Sequence, residues 1–301
     1  MFDKVIVGVD GREGGRDALA FAAALARVSA STLVAVRAYP YETHPSRASV
    51  RGFEEQIRSD TLADLERELT ATDVVAEPLV VGDVSPARAL QHAAEHKRAG
   101  LIVVGSSHRG RLGRVLAGNV AVGALHHAPC PVAVAPRGFA ERAGQLKSIG
   151  VGFDGGAESR EALRLAAKLA KASGARVEVR SVATTPVAAE FPAAYEAEWI
   201  ERMRQYAREH VDEALGIVDE LGAEGSGEIV IGSPVEELVE FSRGVDVLVV
   251  GSRGWGPVRR LLLGSTAERL VREASCAVIV VPRAAATQQR EAPDPAAAAR
   301  A

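Results

Sequence analysis

A glycine-rich segment that begins at Gly251 has the composition of a phosphate-binding loop. It follows an apolar, strand-like run and leads into a predicted helix that begins near Thr266. Glycine at positions 251 and 254 permits positive φ and close approach of the backbone, so successive amides can converge on an anion. The helix start adds free backbone amides and hydroxyl groups, which favour phosphate binding. The candidate residues are Gly251, Ser252, Arg253, Gly254, Trp255, Gly256, Pro257, Gly264, Ser265 and Thr266.

The chain is a tandem repeat of one unit, because short motifs recur in the same order. The segments 7–11, 103–106 and 128–134 return 144 to 146 positions later. The pair formed by Ser85 and a following proline returns at Ser233. A repeated unit of this length predicts two copies of one fold rather than a single large domain.

Each copy alternates between strand-like and helix-like segments. Runs such as 101–104 and 247–250 are apolar at every residue, which is typical of strands covered on both faces by helices. The alternation predicts a doubly wound parallel sheet that binds ligands at the carboxyl ends of its strands. The predicted strands are 4–9, 32–38, 74–81, 101–104, 132–135, 148–153, 176–182, 228–231, 246–250 and 277–281. The predicted helices include 16–29, 49–71, 193–221 and the segments that begin at Pro86 and Pro234.

The composition indicates a soluble globular protein and excludes several classes of function. The 301 residues are 47% hydrophobic and 25% charged, so neither a disordered nor a fibrous chain is expected. A net charge of −3 gives no basic field for binding nucleic acid or an anionic membrane. No apolar run approaches the ~18 residues of a membrane helix, and no signal peptide precedes the first strand. Two cysteines cannot form a disulfide framework, so we expect a cytoplasmic protein.

We expect two domains, residues 1–137 and 146–283, followed by a disordered tail at 284–301. The tail is rich in alanine, glutamine and proline and has nothing to pack. The last strand of each copy is apolar, and an uncovered apolar edge is a liability. We therefore predict that the strand at 278–281 pairs with the strand at 132–134, which makes the chain an intramolecular pseudo-dimer. Association of two chains into a homodimer is left open.

The spacing in the second copy, Gly251-x-x-Gly254 and then Gly264-Ser265 after nine residues, resembles the ATP-binding signature of universal stress proteins. The resemblance extends over both copies, so the chain is similar to a tandem universal stress protein. It implies two flavodoxin-like α/β domains, each with a doubly wound, five-stranded parallel sheet. It also implies that Asp154 lies near the adenine and ribose of ATP. The glycine loop and Gly264-Ser265 would hold the phosphates, with or without Mg²⁺, and Gly152 is assigned to the same site.

Carried over to the first copy, the resemblance implies an equivalent ATP site with two departures from the signature. His108 stands where the second copy has Gly254, and Asn119 replaces Ser265. Histidine adopts positive φ at a cost, whereas asparagine can begin a helix as well as serine can. The residues of this site are Gly8, Asp10, Gly105, Ser106, Ser107, His108, Arg109, Gly110, Arg111, Gly118 and Asn119.

A purely structural role is the alternative for each of these residues. Asp10 and Asp154 could cap the turn into the next helix without any ligand. The glycines could be tight-turn residues of a module that has lost its ligand. Ser265 and Thr266 would then be ordinary helix caps.

Nucleotide sites of other kinds fit the sequence poorly. The run 150–155 has the letters of a dinucleotide fingerprint, but it begins inside a predicted strand rather than after it. Neither glycine loop carries the Gly-Lys-Ser/Thr that a Walker A loop requires. We therefore expect neither NAD binding nor a P-loop.

The histidines and cysteines have weaker claims to a function. His92 and His96 lie four residues apart and could bind a metal, but the second copy repeats neither. The same holds for the pair at 126–127, which lies close to Cys130. Cys130 and Cys276 share one repeat position, which indicates a small buried residue, with a redox pair as the alternative.

The leading interpretation is a regulatory protein that binds ATP and signals its occupancy to an unidentified protein partner. The sequence places no convincing general base near the glycine loop, so fast hydrolysis is not expected. A role in stress responses is implied by the resemblance alone. Two alternatives stay open: a slow ATPase or nucleotide-transfer enzyme with His108 as its candidate catalytic group, and a ligand-free assembly module.

Overall fold

The computed structural model describes residues 1–40, 51–107, 114–126, 128–141, 146–184, 193–252 and 264–282. The elements of the first half are β1 (Lys4–Gly8), α1 (Glu13–Ser29), β2 (Thr32–Tyr39), α2 (Arg51–Thr72), β3 (Glu77–Gly82), α3 (Pro86–Lys97), β4 (Leu101–Gly105), α4 (Asn119–Leu125) and β5 (Val132–Ala135). Those of the second half are β6 (Ser148–Gly152), α5 (Ala157–Ser173), β7 (Arg176–Ala183), α6 (Ala193–Glu220), β8 (Gly225–Ile231), α7 (Pro234–Phe241), β9 (Val247–Gly251), α8 (Ser265–Glu273) and β10 (Ala277–Val281). A 3-10 turn, Phe139–Glu141, lies between the halves.

The described residues form one ten-stranded sheet in the order β3-β2-β1-β4-β5-β10-β9-β6-β7-β8. Within each half the five strands are parallel, so the prediction of two doubly wound, flavodoxin-like α/β domains is confirmed in architecture. The order within a half is 3-2-1-4-5, which is that of a mononucleotide-binding half rather than flavodoxin's own 2-1-3-4-5.

The two halves join through an antiparallel pairing of their last strands. Val278 lies opposite Val134, and Val280 lies opposite Val132. The predicted pairing of the two apolar edges inside one chain is therefore confirmed. It removes both edges from solvent and makes the sheet continuous through the molecule.

The helices form two layers, one on each face of the sheet. One face is covered by α1, α2, α5 and α6, and the other by α3, α4, α7 and α8. In β1, Val5 and Val7 pack into the first layer while Ile6 packs into the second. Strands with an apolar residue at every position are needed here, because both faces of the sheet are covered. Each layer of the core runs through both halves, so the halves share their cores.

The helix boundaries follow local signals that the sequence carries. The helices predicted at 49–71 and 193–221 are observed as α2 and α6 with limits within two residues. Ser85 accepts a hydrogen bond from the backbone of Arg88 at 3.4 Å and caps α3, which has proline at its first position.

None of the described helices combines the length and the apolarity needed to cross a bilayer. The tail predicted at 284–301 lies outside the described residues.

Candidate functional site

The order of the strands creates a crevice at the same point in each half. In the first half the chain runs from β1 through β2 to β3 on one side and then crosses back to β4 on the other side of β1, and β6 occupies the same position in the second half. Ligands of doubly wound folds bind at the carboxyl ends of the strands that flank such a switch point. The strands that flank it are β1 and β4 in the first half, and β6 and β9 in the second.

An aspartate follows the first of these strands in each half and shapes the turn into the next helix. Asp10 accepts a hydrogen bond from the backbone N–H of Arg12 at 3.1 Å. Asp154 accepts the equivalent bond from Gly156 at 2.9 Å. Both bonds use the Oδ1 oxygen and are Asx turns, so the capping role that was an alternative for these aspartates is present in both halves.

A glycine ends the second flanking strand in each half, where a side chain has no room. A Cβ added to Gly105 would lie 1.9 Å from the carbonyl oxygen of Gly14, in the first turn of α1. A Cβ added to Gly251 would lie 2.7 Å from the Cβ of Glu158, in the first turn of α5. The strand therefore ends directly against the helix N-terminus. Gly8 is different, since its added Cβ would face Leu90 on the other side of the sheet.

The serines after these glycines connect the strand ends to their surroundings. Ser106 is buried, and both its N–H and its hydroxyl donate to the carbonyl of Ala135, the hydroxyl at 2.6 Å. Ser107 donates its N–H to the carbonyl of Leu116 at 2.7 Å. Ser252 donates its N–H to Val281 at 2.8 Å. Part of each predicted loop thus has a clear structural role at the end of the sheet.

In the second half, the end of β9 is held against the start of α8. The carbonyl of Ser252 accepts a hydrogen bond from the N–H of Gly264 at 2.8 Å. Gly264 is the N-cap of α8, and within the described part of the chain this N-terminus has no side-chain cap. The first-turn amides, including those of Ser265 and Thr266, therefore lie beside the end of β9. Free N-terminal amides of this kind attract anions.

The central part of each glycine loop lies outside the described residues. This applies to His108, Arg109, Gly110 and Arg111 in the first half. It applies in the second half to Arg253, Gly254, Trp255, Gly256 and Pro257. In the first half a Cβ added to Gly118 would lie 3.6 Å from the Cβ of Ser107, and Asn119 begins α4 directly after Gly118.

Helix α6 places aromatic side chains over the Asp154 turn, which sequence reasoning did not find. Gly155 has φ of +72°, and its added Cβ would lie 2.5 Å from Nε2 of His210. The His210 ring lies 4.2 Å from the ring of Tyr206 and 6.1 Å from that of Phe153, measured between centroids. Burial lowers the pKa of His210, and the nearby Asp154 carboxylate opposes that effect.

The first half has an ion pair at the corresponding turn. Gly11 has φ of +77°, and its added Cβ would lie 3.4 Å from the guanidinium of Arg37. Arg37 pairs with Glu68 of α2, and both side chains are largely buried. Its Nε donates to the carbonyl of Val9 at 3.3 Å. The side chains over the two turns therefore differ: the Arg37–Glu68 pair lies over the first turn, and the rings of His210 and Tyr206 lie over the second. The sequence repeat did not predict this difference, because none of the repeated motifs lies within α2 or α6.

The lowered pKa of His210 predicts a pH-dependent stability. In the unfolded chain the His210 imidazole takes up a proton near the ordinary histidine pKa of about 6.5, whereas in the folded chain it is protonated only at lower pH. The contribution of neutral His210 to the free energy of unfolding is complete above about pH 6.5, and it is lost as the pH falls toward the lowered pKa. We expect the free energy of unfolding to decrease between about pH 7 and pH 5, and His210→Gln to remove much of that slope.

Chemical denaturation at several pH values measures this slope. The other lowered pKa values belong to carboxyl groups, Asp83 beside Arg88 and Glu213 beside Arg160, whose ordinary values are 3.8 and 4.5. Their contributions are lost only in more acidic solution, so they do not overlap with the histidine window. An identical slope in the wild-type protein and the variant would contradict the assignment to His210.

The other described histidines lie on α3 and at the end of α4. His92 and His96 are exposed on α3, as expected for a solvated face. Within the described residues, no group of three or more His, Cys, Asp or Glu side chains is arranged to hold a metal ion. His126 is half-buried, and its neighbour at 127 lies outside those residues. The dinucleotide fingerprint at 150–155 begins inside β6, which supports setting it aside.

The two cysteines are not placed as a redox pair. Both are buried free thiols. The antiparallel register of β5 and β10 puts Cys130 and Cys276 at opposite ends of the pairing, roughly 20 Å apart along the strands. Burial raises the pKa of Cys130 to about 12 and also raises that of Cys276. They therefore have the predicted role of small buried residues leading into the last strands.

Comparison with known proteins gives the same family for both halves. The model of the universal stress protein family matches residues 1–136 and again residues 145–282. A universal stress protein of Methanocaldococcus jannaschii is 33% identical over 138 residues, which is 45% of this chain and 81% of that protein. A universal stress protein of Mycobacterium tuberculosis is 28% identical over 198 residues, which is 64% of this chain and 68% of that protein. The crystal structure of a universal stress protein from Archaeoglobus fulgidus matches the fold with a TM-score of 0.67 at 18% identity, covering 93% of this chain and 98% of that one.

Proposed function

Because this chain belongs to the universal stress protein family, we propose that it is an ATP-binding regulatory protein without fast catalysis. Each of its two domains, residues 1–137 and 146–283, carries one nucleotide site at its switch point. ATP, with or without Mg²⁺, sets a conformation that a regulatory protein partner recognises in the cytoplasm.

One observation carries this proposal, the hydrogen bond between Ser252 and Gly264. At 2.8 Å it holds the end of β9 against the start of α8, whose first-turn amides have no side-chain cap within the described residues and gather at one place beside the strand end. That place lies at the switch point, where doubly wound folds bind nucleotides. Amides and the positive end of a helix dipole are the groups that bind phosphate. The spacing of the glycines resembles the family's ATP-binding signature.

Asp154 supplies the polar group for the rest of the nucleotide. One carboxylate oxygen holds the turn, and a carboxylate has further lone pairs that can accept hydrogen bonds from a ribose hydroxyl or a base amine. Asp154 follows β6, which pairs with β9, the strand whose end is bonded to the start of α8, and this arrangement supports its assignment to the same site. Asp10 has the same relation to β1 and β4 in the first half.

Substituting asparagine for Asp154 tests the site while retaining the turn. Asparagine can still accept the bond from Gly156, so the fold should be unchanged. The loss of charge-assisted bonds to the nucleotide should weaken ATP binding about tenfold in the second half. The measurement is the affinity by titration calorimetry, together with the melting temperature in ATP and Mg²⁺. A ligand at 100 times its dissociation constant should stabilise the wild-type protein by ~2.7 kcal/mol.

Asp212→Ala is the matched control, because Asp212 is an exposed aspartate on α6. It should leave both affinity and melting temperature unchanged. A wild-type protein that is not stabilised by millimolar ATP would favour the ligand-free assembly module. Hydrolysis of bound ATP that disappears in His108→Ala would favour the slow enzyme. Mass spectrometry of the small molecule released on denaturation identifies the nucleotide that the protein retains.

A further inference from the structure

A short segment of the first half is hydrogen-bonded to a helix of the second half. We call residues 114–118 the bridging segment. The N–H of Val115 donates to the carbonyl of Ala274 at 2.8 Å, and that of Ala117 donates to Val271 at 2.7 Å. Both acceptors lie at the end of α8, and both donors are buried. The bridging segment therefore caps the C-terminus of a helix that belongs to the other half.

The residue between these two donors is bonded to its own half. The N–H of Leu116 donates to the hydroxyl of Ser106 at 3.4 Å, and its carbonyl accepts from Ser107 at 2.7 Å. Ser106 and Ser107 directly follow β4, at the candidate site of the first half. Successive residues of the bridging segment are thus bonded in turn to α8 and to the residues that follow β4. The segment cannot move away from one of these partners without straining its hydrogen bonds to the other.

Within the described residues, no side chain of the second half donates to the last carbonyls of α8, so the end of this helix depends on the bridging segment. In the first half, the side-chain amide of Gln91 donates to the carbonyls of Gly123 and His126 at the end of α4, the former at 3.1 Å. The repeat places Val239 at the position of Gln91 in the second half. Valine has no donor, and the last carbonyls of a helix need one. The bridging segment fills that need for α8.

The opposite end of α8 belongs to the candidate site of the second half. Its N-cap, Gly264, is bonded to Ser252 at the end of β9. A single helix of nine residues thus touches one candidate site at its start and the anchor of the other candidate site at its end. A continuous series of hydrogen bonds joins the ends of β9 and β4.

We infer that the two ATP sites are coupled with positive cooperativity through α8 and the bridging segment, an inference that rests on the proposed function. ATP in the second half orders the start of α8 and favours the state in which its end accepts from Val115 and Ala117. That state also orders the residues after β4, so the first site binds ATP at a lower entropic cost. The coupling is reciprocal, because the same state favours both ligands.

Titration calorimetry with ATP and Mg²⁺ tests this coupling. Asp154→Ala disables the second site, and the affinity of the first site should then fall about fivefold or more. Asp10→Ala should weaken the second site by the same factor. Ala117→Pro removes one donor to α8 and should abolish both effects, whereas Gln91→Val, which uncaps only α4, should preserve them.

Hydrogen exchange on chains with an unaltered bridging segment provides a second measurement. In the Asp10→Ala protein, ATP at the remaining site should slow exchange of the Val115 and Ala117 amides about fivefold or more. Sites that bind ATP independently, or exchange rates that do not respond to bound ATP, would overturn the coupling and leave the proposed function intact. Failure of every variant and of the wild-type protein to bind ATP would instead overturn the proposed function, and the coupling with it.

Discussion

Replacing Val280 with lysine should lower the free energy of unfolding by about 4 kcal/mol or more. Val280 is only 2% exposed and lies in β10, between Val132 of the first half and Val250 of β9. The new ammonium group would be buried among aliphatic side chains at the junction of the two halves. A buried charge without a partner costs several kcal/mol, and the shared core cannot open to solvate it without separating the strands.

Chemical denaturation measures this loss, and small-angle scattering shows how the molecule responds. Val75→Lys is the matched control, because Val75 is 96% exposed and should tolerate lysine with little change. If the β5–β10 pairing holds the halves together, the Val280→Lys protein should be less compact than the control. Equal stability and equal compactness of the two variants would contradict a continuous sheet through this pairing.

Replacing Gly105 with alanine should destabilise the protein by about 3 kcal/mol and disrupt the first candidate site. The methyl group would lie 1.9 Å from the carbonyl oxygen of Gly14. An added Cβ at Gly14 would in turn lie 2.5 Å from the carbonyl of Ser106. Both contacts are with backbone atoms, so no side chain can rotate away. In the variant, the start of α1 would therefore have to move away from the end of β4.

Two other glycines provide matched controls for this substitution. Gly216 lies within α6 with open space around its added Cβ, so alanine there should stabilise the helix by about 0.5–1 kcal/mol. Gly118 belongs to the same candidate site, but its nearest neighbour is 3.6 Å away, an ordinary contact. Alanine at Gly118 should leave the melting temperature nearly unchanged. A comparable loss at Gly118 and Gly105 would show that close packing of β4 on α1 is not the cause.

The sequence was sufficient to predict most of the fold. The repeat predicted two copies, and runs such as 101–104, apolar at every residue, predicted strands covered on both faces. The pairing of β5 with β10 could be predicted because an apolar edge must be covered, and an equivalent edge in the same chain can cover it. These features depend on local patterns, which each copy carries within its own sequence.

The candidate site was only partly predictable. The resemblance to the family signature, carried through the repeat, marked Asp10, Asp154 and the glycines that end β4 and β9, at positions where turns and close backbone approach require those residue types. It gave no indication that Gly105 is needed to fit Gly14, since the two are 91 positions apart. Nor did it indicate that Gln91 caps α4 while its counterpart, a valine, cannot cap α8.

The tertiary structure alone decided which side chains surround each crevice. His210 and Tyr206 lie over one turn, and the pair of Arg37 and Glu68 lies over the other, because α6 and α2 pack across the starts of α5 and α1. The bridging segment is also a tertiary feature, since its donors meet acceptors more than 150 positions away. Sequence patterns report which face of an element is buried, whereas the partner across that face is set by how the layers pack together.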